Sequence, residues 1–149
     1  MSRLLSAWAL FLRLSVAGFW LFFASQRWFD RSWVRELFAT AALGNYVPLY
    51  GDLLRALVPS WEAVTLAVTV AETAIGIALL LGFYARAAAV AGAAIALNLW
   101  LTFSLCDCWW NERDAPMVFW FYFSAFLLNV AVARERHAPM AMRRGGLGG

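Results

Sequence analysis

The chain has no lysine, a single histidine and only two cysteines in 149 residues, and charged side chains make up just 14% of it. A soluble domain carries about a quarter charged residues, so there are too few polar groups here to form the shell around a water-soluble core. The lone histidine, His137, lies in a basic C-terminal stretch, which excludes a haem held between helix histidines, and no metal site is expected. Glycine-rich nucleotide loops, nucleophile elbows and metalloprotease signatures are all missing. The net charge of +3 comes from arginines scattered along the chain, a pattern that fits membrane topology and lipid headgroups rather than nucleic acid.

What the sequence does have is apolar length: 64% of the residues are hydrophobic and 17% aromatic. Four runs approach the roughly 20 residues that a spanning helix needs. They are Ala7 to Phe29, Trp61 to Gly82, Ala85 to Leu105 and Ala115 to Ala133. Arg3 before the first run resembles the start of a signal peptide, but the run is too long for that and no A-x-A site follows it, so we read a retained helix. The expected fold is an all-α integral membrane protein, a bundle of four transmembrane helices over residues 1–137, with a flexible tail over 138–149. Between the first two helices, Asp30 to Ser60 is half polar and holds Pro48, Pro59, Trp33, Phe38, Tyr46 and Tyr50, as expected of a partly helical interfacial segment.

The short link Gly82-Phe83-Tyr84-Ala85-Arg86 makes the second and third helices antiparallel neighbours. Alanines around Gly92 in the third helix allow close approach of other helices, which predicts a central position for it. Four spans put both termini on one side, with Arg3, Arg86, Arg134, Arg136, Arg143 and Arg144, against Arg27, Arg31, Arg35, Arg55 and Arg113 on the other. The positive-inside rule then favours cytoplasmic termini in the inner membrane. Trp28, Trp33, Trp61, Trp109 and Trp110 fall near the outer boundary as an aromatic belt, or in part as the mouth of a site where a flat ring stacks.

Glu72 lies near the middle of the second helix, where an ionisable group costs on the order of 3 kcal/mol to insert. Thr65, Thr69, Glu72 and Gly76 recur at steps of three and four residues and share a face that should look into the bundle. Counting 1.5 Å per residue from the inner surface puts Glu72 about 15 Å deep, Asn98 about 18 Å, Ser124 about 14 Å and Arg13 about 9 Å. Glu72 and Arg13 are therefore the candidate catalytic ion pair, with Asn98, Ser124, Thr69 and Gly76 as candidate ligand-binding residues; the plainer reading is that these polar groups only join helices. Cys106 and Cys108, at the end of the third helix, are candidate redox thiols, with a structural role as the alternative.

Residues of the first two helices resemble the DoxX/DoxD family of four-helix membrane proteins. The first helix holds Leu12-Arg13-Leu14, Gly18 and Gln26-Arg27, and the second, with its turn, reads E-x-x-x-G-x-x-L-x-x-G-x-x-x-R from Glu72 through Gly76, Leu79 and Gly82 to Arg86. Asn45-Tyr46 and Tyr50 are similar to the long loop of the DoxD branch. The resemblance implies a link to redox chemistry, because that branch includes subunits of thiosulfate:quinone oxidoreductases, and it places Arg13, Glu72, Gly76, Gly82 and Arg86 at matching positions. The chain departs from the family after Ala133 and in Cys106-Asp107-Cys108. The expected function is a quinone-associated membrane subunit of an oxidoreductase, with lipid and other membrane or redox subunits as partners; the alternative is a non-catalytic accessory subunit of a larger complex.

Overall fold

The computed structural model describes residues 2–107 and 114–135. Those residues form six α-helices: α1 Ser2–Phe29, α2 Ser32–Gly44, α3 Pro48–Leu57, α4 Trp61–Leu81, α5 Ala85–Phe103 and α6 Asp114–Arg134, with a 3-10 turn Val58–Ser60 between α3 and α4. Four apolar stretches are long enough to cross a bilayer: Ala7–Phe29, Pro48–Leu81, Ala85–Phe103 and Pro116–Arg134. The protein is an all-α, multi-pass membrane protein. Cys108, Trp109, Trp110, Arg113 and the expected tail over 138–149 lie outside the described residues.

The second stretch is 34 residues long and as one straight helix would measure about 51 Å, well beyond a hydrocarbon core of about 30 Å. Pro59, within the 3-10 turn, divides it into α3 and α4. α4 ends where Gly82 takes a left-handed conformation (φ 74°), a cap that glycine adopts without a Cβ penalty. Tyr84 is also left-handed (φ 48°), so the chain reverses within three residues and α5 returns beside α4 as the short link predicts.

The four spanning helices form a closed ring in which α1 packs along α4, α4 along α5, α5 along α6, and α6 touches α1. α5 buries the largest share of its length, through Ala88, Ala89, Gly92, Ala93 and Ala96. At Gly92 a Cβ would come within 2.3 Å of Asn129 Oδ1 and 3.0 Å of Trp20 Nε1, so this glycine admits a buried contact between α1 and α6. There the Trp20 indole N–H donates to Asn129 Oδ1 (3.1 Å) and the Asn129 amide donates to the Ala125 carbonyl (2.8 Å). Both side chains are at most 1% exposed, so each needs this partner.

α1 and α4 run antiparallel, with Leu21 against Gly76 and Trp28 donating to Thr73 Oγ1 (3.0 Å). The end of α1 is therefore level with the middle of α4, and α4 continues roughly 12 Å beyond it toward Trp61. α2 and α3 fill that space. Val34, Phe38, Ala42 and Leu54 are buried where the pair packs against the Trp61 end of α4 and the Phe103 end of α5. The expected interfacial segment is thus two helices that complete the bundle on one side.

Four hydrogen bonds fix the segment to the end of α5. Gly44 and Tyr46 exchange backbone hydrogen bonds with Asp107 and Leu105 (2.9 and 2.8 Å), Asn45 donates to the Leu101 carbonyl (3.0 Å), and the Tyr50 hydroxyl lies 2.7 Å from Thr102 Oγ1. A Cβ at Gly44 would stand 3.2 Å from the Asp107 backbone, which explains the glycine. α5 stops at Phe103 rather than Leu105 because residues 105–107 turn to make this pairing. Cys106 is buried there against Ala41 and Phe103, and it is disulfide-bonded.

Candidate functional site

Glu72 is 1% exposed and its carboxylate pairs with the guanidinium of Arg27, whose side chain is 11% exposed. This corrects the expected pairing with Arg13. Counting depth from helix ends assumed that α1 and α4 share both surfaces, whereas the observed register puts the pair at the middle of α4 and Arg13 at its C-terminal end. The Arg13 guanidinium lies 2.9 to 3.3 Å from where a Cβ of Gly82 would stand, ten residues or about 15 Å along the helix from Glu72. A cation there complements the carbonyl end of α4. Arg27, which topology counting placed at the outer surface, is inside the bundle instead.

The remaining candidates divide between helix joints and the walls of cavities. Gly76 faces α1, and a Cβ there would meet Leu21 at 2.7 Å, so it permits close packing and is closed to a ligand. Thr69 is fully buried, and its hydroxyl donates to the Thr65 carbonyl (2.7 Å). Asn98 does not complete the bonding of Glu72: its backbone carbonyl accepts from the hydroxyls of Tyr50 (3.1 Å) and Thr102 (2.9 Å), and the residue lies on a cavity wall. Ser124 is exposed in a groove on the outside of α6. Trp28, expected in the aromatic belt, is half exposed and donates to Thr73 Oγ1 in mid-α4, and Trp33 lies on the cavity wall.

That cavity has a volume of about 120 Å³ and lies between α2 and α3 on one side and α4 and α5 on the other. Its apolar wall includes Leu37, Phe38, Leu54, Val68, Leu99 and Phe103. Its polar groups come from every side: Arg27 of α1, Tyr50 of α3, Thr65 of α4, Asn98 and Thr102 of α5, and Tyr122 of α6. For scale, a buried cavity of roughly 150 Å³ holds one benzene ring. Behind Arg27 and Tyr122 lies a second void of about 10 Å³, lined by both of them and by Glu72, Trp20 and Phe121.

Two atoms of the ion pair, Glu72 Oε1 and Arg27 Nε, have no hydrogen-bond partner among the described residues. Buried polar groups are nearly always paired, and a buried ion pair gains from its geometry only when its remaining donors and acceptors are satisfied. The site can therefore accept a polar guest as well as a ring. Sequence reasoning missed Tyr122 and Asn129, which sit in a helix that is apolar on all sides and shows no periodic polar face. Arg27 had a signal in the Gln26-Arg27 match but was counted as a surface charge.

Among the described residues no group of His, Cys, Asp and Glu is arranged to hold a metal. Comparison of the chain with family models, with curated proteins and with solved structures finds no match.

Proposed function

We propose that the protein is a quinone-associated membrane subunit of an oxidoreductase, set in the inner membrane with both termini cytoplasmic. The observation that carries this reading is a buried arginine on the wall of an apolar cavity of single-ring size, paired behind that wall with a buried carboxylate. A quinone head needs an apolar slot for its ring, donors for its carbonyl oxygens and a titratable group to accompany electron transfer. Arg27, Tyr122 and Tyr50 supply donors, and Glu72 supplies the titratable group. Resemblance to the DoxX/DoxD family supports the same class of chemistry, with thiosulfate as the candidate electron donor.

The test is Glu72→Gln in membranes that contain the native assembly, with quinone reduction followed after addition of thiosulfate or other candidate donors. We expect the variant to be retained in the membrane and in its complex while quinone turnover is lost. Unchanged turnover would overturn the quinone role.

A second reading, an accessory subunit without its own ligand, draws on the outer groove between α1 and α6. It measures about 580 Å³ and exposes Met117, Trp120, Phe121 and Leu128, a concave apolar surface suited to a helix of another subunit. Turnover that survives Glu72→Gln but fails when Trp120→Ala releases the chain from the complex would favour this reading.

A further inference from the structure

Glu72 does not reach the cavity in which the quinone reading places the ring. Arg27, Leu99 and Tyr122 line both the cavity and the small void behind it, so these three form the partition, and Glu72 borders the void alone. A proton moving between Glu72 and a ring oxygen must cross that partition. Leucine carries no exchangeable proton, and a guanidinium donates but has no acceptor site. The Tyr122 phenol can both donate and accept.

The void itself has the size and chemistry for one water. Its volume of about 10 Å³ is near the least that holds a water molecule, which also needs two to four polar partners. Glu72 Oε1 is an acceptor without a partner among the described residues, Arg27 Nε is a donor without one, and Tyr122 is the third polar residue on the wall.

Resting on the quinone reading of the cavity, we infer that Tyr122 passes a proton between Glu72 and the quinone, through a single water held in the void. In the direction of reduction, a membrane-attached redox partner supplies two electrons to the ring. The Tyr122 O–H bond then breaks as its proton forms an O–H bond on the nearer reduced oxygen. The phenolate takes a proton from the void water, and the water takes one from the Glu72 carboxylic acid. Glu72 is left as a carboxylate paired with Arg27, the arrangement observed here. The second proton reaches the other oxygen from the Tyr50 end of the cavity. Quinol oxidation runs the same steps in reverse.

The experiment uses the full chain in lipid nanodiscs with a short-chain ubiquinone analogue, reduced at an electrode so that the natural donor is not required. Affinity for the analogue, the rate at which the reduced ring is protonated, and the infrared band of the Glu72 carboxyl are followed in the wild type and in Tyr122→Phe. Glu72→Gln identifies the carboxyl band by its loss. Phenylalanine keeps the ring packing of Tyr122 on Phe103 and Phe121 but removes one donor to the quinone, so Tyr122→Phe should bind the analogue more weakly, and its protonation rate is read at saturating analogue. We expect its protonation step to slow by about 100-fold and the Glu72 band to stay constant on reduction. A Tyr122→Phe protein that retains both the rate and the change in the Glu72 band overturns the relay and leaves the quinone reading standing. A wild-type chain that binds no analogue removes both.

Discussion

Arg27 and Glu72 hold opposite charges in a place where either alone would be costly. Removing one partner of a buried pair strands the other and costs about 3 to 5 kcal/mol, while replacing both by apolar residues of similar size is often neutral. We expect Arg27→Ala to destabilise the detergent-solubilised protein by that amount, and Arg27→Met/Glu72→Leu to unfold near the wild-type temperature while binding no quinone. A double variant as unstable as the single one would show that the pair has a structural role. Gly92 offers a second test, because a methyl group there meets Asn129 Oδ1 at 2.3 Å. Gly92→Ala should cost about 1 to 3 kcal/mol, and thermal unfolding should show part of the loss recovered by adding Asn129→Ala. At this scale the sequence revealed Glu72, because a carboxylate in an apolar run is conspicuous. It hid the partner, because pairing depends on how far one helix slides along another, and neither helix records that in its own residues.

At the scale of elements, the spanning helices were legible to within a few residues because their lengths follow from bilayer thickness. The α2–α3 pair was legible only as amphipathic, since its buried face forms against α4 and α5. Its attachment rests on Asn45 and Tyr50, and Tyr50→Phe should raise amide hydrogen exchange across 48–57 while leaving α4 and α5 protected. The entry to α2 depends on pH. Asp30 accepts from the Ser32 backbone N–H and then from its hydroxyl, and both hold its carboxyl below the ordinary value. Because the folded value is the lower one, this stabilisation is present above the unfolded value and is lost as pH falls through the folded one. An NMR titration of Asp30 should show the low value, and Ser32→Ala should move it upward.

For the whole molecule, the register bears on orientation as well as on the site. Arg27 is neutralised inside the bundle by Glu72 and leaves the count for the α2–α3 side, while Arg13 joins the side of the α4–α5 turn, beside Gly82. Both changes strengthen the proposal that the termini are cytoplasmic, and reporter fusions after Arg134 should be active only in the cytoplasm. The bundle could be read from composition and the buried acid from its place in an apolar run, but the cavity could not, because six helices contribute to its walls and no two adjacent segments define it. The central claim is that a quinone occupies this cavity. Labelling the full chain in native-like lipid with a photoreactive quinone analogue tests it most directly, with the modified residues located by peptide mass spectrometry. We expect labels on 53–57, 64–68 and 98–103, and their loss in Val68→Trp, which fills the space; labels confined to the lipid-facing surfaces of α1 and α6, unchanged by Val68→Trp, would contradict it.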